Sequence, residues 1–481
     1  MLAAQKETAR IKSARDCTVA GLHLWHDGFN SYFVMKNQIN MTEGAIFPKL
    51  VKFSVPLILS SILQLLFTAA DIVVLGRYAG DNSLAAVGST SSMVNLLVNF
   101  FIRASVGCSV VAANSLGAGN KKELNRSIHT TMVLSVIAGL IVTLVGISFS
   151  RRILILMHSP ADVLPLSALY LKIYFSGITA TIIYNFGAAM LKAKGDTKRP
   201  LYILLVAGII NVILNLIFVV VFKMDVAGVA FATVLGQTFA AFCIVWILLH
   251  EDEEFRLDLR KFRLNLPILK RIVKIGIPAG LQSMLFNFSN VMIQSAVNSF
   301  GSVAVAGNSA AQSIEDFVGI SMGSLSYATL TFAGQNMGAQ KFQRIKRLVV
   351  ISEASVAIVG LVLGLGALAF GRSLLGIYSE NQAVIDAGML RLSVILVTCC
   401  MSGMMDSMAD AIRGIGHSVL PMVITLIGAC VFRVVYLTTF FQIPRFHTYQ
   451  CIFYSYPLSW GLTFAFLTVS FVLIMRKIER R

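Results

Sequence analysis

Asp71 lies about 20 residues into an apolar stretch that begins at Val51. Holding an ionisable side chain in hydrocarbon costs about 2.5–3.5 kcal/mol on insertion scales, so such a residue is a functional candidate by default. Two readings are open for it. Asp71 is an interfacial residue bonded to Ser or Thr, or it is a carboxylate that binds a coupling cation. Neighbouring stretches supply oxygen-bearing side chains: Gln64 two turns earlier, Asn185, Asn211, Asn215 and Thr233. Asn211 and Asn215 stand four apart and share one helix face. Oxygen donors suit hard cations. Interhelical hydrogen bonding without any ion is the alternative for each, and the set forms a cluster only if its helices face one another.

The second half carries its own polar residues. Gln282, Asn287 and Asn290 lie along the seventh apolar stretch, Glu315 and Asp316 in the eighth, and Asp406 and Asp410 four apart in the tenth. Arg413 follows Asp410 by three, the spacing of a local pair. Arg433 lies inside the eleventh stretch and needs a partner, for which Asp406 or Glu315 is expected. Arg103 raises the same question with no obvious answer. Glu315, Asp316, Asp406, Asp410, Arg433 and Gln282 are therefore expected to form a C-terminal polar network. A buried pair of this kind can be structural.

Nothing in the chain suggests covalent chemistry. There is no HExxH, GxSxG or Walker A pattern. The seven cysteines are scattered, with no CxxC pair, so no zinc site, redox motif or disulfide framework is expected. No metal is expected beyond Na⁺ at Asp71, and no cofactor. The protein is read as a non-enzyme. Without a nucleotide-binding loop, the energy source has to be an ion gradient or another protein.

The elements that position these residues follow from composition. The 481 residues are 56% hydrophobic and 13% charged, with mean hydropathy +0.77. Soluble domains are about 25% charged, so an ordinary cytosolic enzyme and a disordered protein are both excluded. A helix needs about 20 mostly apolar residues to cross a hydrocarbon core of about 30 Å. Twelve stretches qualify: 51–75, 84–113, 127–149, 164–189, 201–222, 227–249, 272–297, 303–334, 348–370, 387–411, 420–441 and 452–475. Backbone groups in lipid must be satisfied within the segment, which makes these helices. The period-two alternation of barrel strands is absent. The fold class is an all-α polytopic membrane bundle of two six-helix lobes. Its parts are a disordered cytoplasmic leader (1–46), an N-terminal lobe (47–249), a solvated cytoplasmic linker (250–271), a C-terminal lobe (272–476) and a basic tail (477–481). The leader holds Lys6, Arg10, Lys12 and Arg15 with no apolar run after them, unlike a signal peptide, and Met35 and Met41 are alternative initiators.

The net charge of +17 is unevenly distributed. With the N-terminus placed in the cytoplasm, inner segments carry 25 Lys and Arg and outer loops 7, Arg391 among the latter. That is the positive-inside asymmetry. It puts both termini in the cytoplasm and accounts for the basic charge without nucleic acid.

The halves also repeat. Pro56 matches Pro278 at an offset of 222; Gly80 matches Gly301, Gly117-Ala118 matches Gly338-Ala339, Gly195 matches Gly416 and Pro200 matches Pro421, each at 221. Both halves start on the same side, so the repeats are parallel and related by an axis along the membrane normal, an architecture of alternating access. Gly360 and Gly364 form a GxxxG pair suited to close helix approach.

These features together resemble the multidrug and toxic compound extrusion (MATE) family. Met41-Thr42-Glu43-Gly44 before a helix with Pro56, Asp71 and Gly76 is similar to bacterial members. So are the repeated Gly-Ala turns, Gly195-Asp196-Thr197 and Arg413-Gly414-Ile415-Gly416-His417. The likeness covers about 41–475. It implies export of small cationic or amphipathic organic molecules against inward Na⁺ or H⁺, by a monomer in the lipid bilayer of the bacterial inner membrane. The family's first-helix Asp, 15 residues after a proline, matches Asp71, and its helix 5 Asn matches Asn211. Gln64, Asn185 and Thr233 match its polar positions on helices 1, 4 and 6. Where several members have an Asp, this chain has Asn215, which leaves one carboxylate. The helix 7 carboxylate of another branch is replaced by neutral Gln282, Asn287 and Asn290. Pro56 and Pro278 are the expected hinges. A flippase for a lipid-linked saccharide, with basic residues in its cavity, is the alternative function.

Overall fold

The apolar stretches become twelve long helices in the computed structural model, which describes residues 38–157, 160 and 163–480. They are α1 (Ile46–Tyr78), α2 (Asp81–Gly117), α3 (Lys121–Leu156), α4 (Leu164–Lys194), α5 (Lys198–Asn215) and α6 (Asp225–Leu249). The second set is α7 (Leu266–Asn298), α8 (Ser302–Gly338), α9 (Phe342–Ala369), α10 (Gln382–Gly414), α11 (Val419–Thr438) and α12 (Tyr449–Glu479). A π-helical turn extends α5 over Leu216–Val221, and another interrupts α11 at Leu426–Val431. No strand occurs among the described residues.

Seven of the helices (α1, α2, α3, α7, α8, α10 and α12) overrun the expected stretches at both ends. At 1.5 Å per residue, the 33 residues of α1 reach about 50 Å, well beyond a hydrocarbon core of about 30 Å. Local caps contribute to where they begin. Asn120 caps α3 through the Glu123 N–H, Asn265 caps α7 through Ile268, and Thr448 caps α12 through Cys451. Gly195, with φ +97°, closes α4 in the left-handed region. Ten of the twelve are long and apolar enough to cross a membrane by themselves. The other two, α7 and α8, carry Gln282, Asn287, Asn290, Asn308, Glu315 and Asp316. Apolar side chains such as Leu144, Phe242, Val362 and Leu473 stand exposed around the bundle, the surface of a multi-pass membrane protein.

Packing repeats between halves. In the N-terminal lobe α4 packs on α2, α3 and α6, and α1 packs on α5; in the C-terminal lobe α10 packs on α8, α9 and α12, and α7 packs on α11. Gly360 and Gly364 sit against Cys400 and Leu396 of α10, so the GxxxG pair serves packing. The six described cysteines are free.

The lobes meet mainly through α2 on α7 and α8, and α1 on α8. We call the end where α1 begins proximal and the opposite end distal. The lobe-to-lobe hydrogen bonds described lie at the proximal end: Gln335 Nε2 donates to Ala193 O at 2.7 Å and Asn114 Nδ2 to Gly414 O at 3.4 Å. There a Cβ on Gly117 would stand 1.9 Å from Gln335 O, and one on Gly338 2.0 Å from Asn114 O. Both positions require a bare backbone. Gly117→Val is therefore expected to part the lobes here. Pulsed electron paramagnetic resonance between labels at the exposed Lys122 and Gln343 should read a distance increase of several ångströms, on the order of one side chain's width.

Two segments differ from expectation. Residues 1–37 of the leader lie outside the described residues, but its last part is packed rather than free. Ile39 and Met41 are buried, and Met41 O accepts from Asn336 Nδ2 at 3.2 Å and Arg344 Nε at 3.2 Å. The linker is not merely solvated. Phe255 and Leu257 are buried, and Glu251 pairs with Lys194 and Arg199 beneath α4 and α5. His129 Nε2 accepts the Asp258 N–H at 3.0 Å. The Asp258 carboxyl, accepting the Arg260 N–H at 2.9 Å, is held below the usual carboxylate range by that bond. Two apolar anchors spaced between acidic residues made this segment look polar throughout. The linker also ends early, because α7 begins at Leu266.

Candidate cation site and polar clusters

Close approach of three helices builds the surroundings of Asp71. A Cβ on Gly208 of α5 would stand 1.8 Å from the Phe67 ring of α1, and one on Gly236 of α6 would stand 3.1 Å from Ala207 O of α5. The missing side chains let α1 and α6 settle onto α5. Asn211 is one turn from Gly208, and Thr233 is one turn from Gly236, so both reach the same interior.

Asp71 is partly buried near the distal end of α1. Asn215 Nδ2 donates to its Oδ1. In the amide orientation that satisfies both its ends, Asn211 Nδ2 donates to the same Oδ1 at 3.0 Å, and its Oδ1 accepts the Thr233 N–H at 3.3 Å. Both described donors to Asp71 thus fall on one carboxylate oxygen. Asn215 is fully buried, and its Oδ1 has no hydrogen-bond partner among the described residues. An unpaired buried acceptor costs about 1–3 kcal/mol, and here it sits beside a carboxylate. Two oxygens lacking donors, next to one negative charge, form a set a proton or hard cation can satisfy. Tyr170 of α4 lies within electrostatic reach of Asp71.

Asp71, Asn211, Asn215 and Thr233 are brought together; Gln64 and Asn185 are not. Gln64 is exposed on α1, and Asn185 Nδ2 donates within its own helix to Thr181 O at 2.8 Å. Gln64 lies on the Asp71 face of α1, seven residues earlier, but that spacing leaves it about 10 Å away along the helix axis. Pro56 and Pro278 are buried inside α1 and α7, and Pro56 O accepts from Ser60 Oγ at 2.8 Å.

The expected single network of the C-terminal lobe is instead three clusters. At the proximal side, Arg413 donates to Asp410, as its spacing suggested, and also to Gln282 Oε1. Arg103 lies within electrostatic reach of Asp406 of this group, with no ion pair between them among the described residues. Towards the distal side, Arg391 clamps Glu315 through two bonds of 2.7 Å and donates to Asn308 Oδ1 at 2.6 Å. Asp316 is exposed beside it. Glu315 is therefore the partner of Arg391, and Arg433 is paired with neither Glu315 nor Asp406. Arg433 is fully buried; its Nε donates to Ser459 Oγ at 3.0 Å, and its guanidinium carbon lies 4.2, 5.1 and 5.8 Å from the ring centres of Tyr456, Phe286 and Trp460. Ring faces attract a desolvated cation, and that replaces the expected carboxylate. Arg391, placed in an outer loop by the charge count, is 4% exposed inside α10.

Sequence reasoning missed Glu353 of α9, a carboxylate buried inside an apolar helix within reach of Ser407. The test that singled out Asp71, an ionisable residue inside an apolar stretch, would have found it. Asn308 carried no such signal, because a neutral amide in a helix draws attention only once its partner is known.

With this geometry in hand, the comparisons decide the family. The MatE family model matches residues 56–217 and 278–438, once per lobe and over more than half the chain. The chain belongs to the MATE family. The two matches begin at Pro56 and Pro278, the pair that led the repeat. The chain is 27% identical over 393 residues to the "Probable multidrug resistance protein YoeA" of Bacillus subtilis, covering 80% of this chain and 85% of that protein. It is 30% identical over 308 residues to "Probable multidrug resistance protein YpnP" of the same organism, covering 64% and 68%. A solved structure described as the "Outward-facing conformation of a multidrug resistance MATE family transporter of the MOP superfamily" superposes with TM-score 0.86 at 18% identity, over 93% of this chain and 99% of that one. This MATE protein is accordingly a multi-pass membrane transporter of a multidrug efflux family and not an enzyme. The flippase alternative finds no support in these relatives.

Proposed function

We propose that the protein is a cation/drug antiporter, in which binding of Na⁺ or H⁺ at Asp71 alternates with binding of a small amphipathic or cationic organic molecule. The observation that carries this reading is that Asp71 accepts from Asn215 Nδ2 while the Oδ1 of that same buried amide has no partner among the described residues. Neutralising Asp71 weakens the charge-assisted bonds it accepts from Asn211 and Asn215. The α1–α5–α6 packing can then rearrange, with Pro56 as the bend because proline cannot donate the helix hydrogen bond. Ion and drug must favour different states, with reciprocal coupling of about 1–3 kcal/mol.

Orientation follows from charge. Removing Arg391 from the outer set sharpens the positive-inside asymmetry, which supports proximal ends and both termini in the cytoplasm of an inner membrane. Sealing of the lobes at the proximal end then corresponds to an outward-facing state, ready to release a drug and take up the cation.

Dye efflux from proteoliposomes under separately imposed Na⁺ and pH gradients tests the proposal. Efflux driven by one inward gradient and absent without it is expected. The gradient that works names the ion. Equal dye movement with and without both gradients would overturn the antiport reading.

A further inference from the structure

A cavity of about 850 Å³ opens at the proximal end, where α9 and α12 meet the start of α1. Its lining combines the basic residues Lys341, Arg344 and Arg347 with the apolar residues Ile46, Phe342 and Ile351. The basic groups are occupied mostly by neutral partners. Lys341 Nζ donates to Thr42 O at 3.0 Å, and Arg344 donates to Met41 O at 3.2 Å and Glu43 O at 2.8 Å. Carbonyls hold these side chains in place without cancelling their charge. Arg347 is exposed, with no described partner. Glu479 also lines the cavity, but Lys346 binds it at 2.7 Å. The Glu43 carboxylate stands 3.8 Å from Lys341 and is largely solvated. The cavity is left net positive.

Two helix starts add to this field. Neither α1 nor α9 has a side-chain cap at its N-terminus, and residues of both first turns line the cavity. Their first N–H groups and dipoles favour an anion. Next in the chain to the lining residues Ile46 and Ile351, Phe47 and Val350 are 54% and 69% exposed, as lipid-facing residues are. A basic hollow between membrane helices, level with their ends and continuous with an apolar flank, matches a charged headgroup that carries acyl chains.

We propose that this cavity binds the phosphodiester headgroup of an anionic phospholipid, with Lys341, Arg344 and Arg347 on the phosphate and the chains along Ile46, Phe342 and Ile351. The lining comes from both lobes, so a seated lipid bridges α1 to α9 and α12. The inference is independent of antiport, since it requires only that the proximal helix ends lie at a membrane surface.

The test uses delipidated full-length protein in detergent, with lipid retention read by native mass spectrometry and without any gradient or drug. Phosphatidylglycerol should be retained over phosphatidylcholine by about fivefold per engaged basic residue. Arg347→Glu, which has no described bond to lose, should cut that preference by fivefold or more. Lys341→Gln with Arg347→Gln should cut it by about 25-fold, while Arg480→Gln in the tail should leave it unchanged. Equal retention of the two lipids by the unmodified protein would overturn the proposal. So would an unchanged preference in Arg347→Glu, or binding of inorganic phosphate with no lipid retained, which would mark a free-phosphate site instead.

Discussion

Asp71→Asn is expected to abolish gradient-driven efflux while leaving the protein folded in the membrane. The side chain keeps its size, and an amide oxygen can still accept from Asn215 Nδ2 and Asn211 Nδ2, the donors that now serve Oδ1. What disappears is the charge and the exchangeable proton. In the unmodified protein, drug affinity with and without the coupling cation should differ by about 5–150-fold. In the variant that ratio should fall to one. Equilibrium dye binding at both cation concentrations measures the ratio, and the melting temperature of detergent-solubilised protein checks the fold. A variant that pumps at the original rate would show that the carboxylate is no part of the engine.

Arg391→Ala should produce the largest loss of stability. Arg391 is 4% exposed and makes two bonds to Glu315 and one to Asn308, with its guanidinium 5.4 Å from the Phe453 ring centre and 5.7 Å from that of Tyr456. Truncation strands the Glu315 carboxylate, whose side chain is 13% exposed. Breaking a buried pair in this way costs about 3–5 kcal/mol. The double variant Arg391→Met, Glu315→Gln removes both charges and keeps similar volume, so it should recover most of that loss. Thermal unfolding of the three proteins in one detergent reads the difference. If the single and double variants melt together, the pair does not stabilise the lobe.

These two groups differ in how far they could be read before the fold was known. Asp71 stood out because a carboxylate in an apolar stretch is costly wherever the stretch is packed. Asp410 and Arg413 paired as expected because one helix turn brings them together whatever surrounds it. Arg433 was misassigned because electrostatic complementarity suggested an acid, whereas three aromatic rings from α7 and α12 supply the contact. Arg391 was taken for a loop residue although it lies within the tenth apolar stretch, where its burial against α8 and α12 settles the matter. The MATE resemblance rested on motifs in matching turns and held, since turn glycines and prolines obey local backbone constraints.

Local and compositional facts were therefore determined by the chain alone: twelve helices, no strands among the described residues, a duplicated six-helix unit, a basic balance and acids set within apolar stretches, Asp71 among them. Each follows from hydropathy, backbone satisfaction in lipid, or spacing along a helix. Tertiary structure alone decided which polar faces meet. It drew Asn211, Asn215 and Thr233 to Asp71, because which residues of neighbouring helices meet depends on how each helix is rotated and shifted in its lobe. That rotation is set by many small packing contacts, such as Gly208 against Phe67, and no spacing rule within a single helix encodes it.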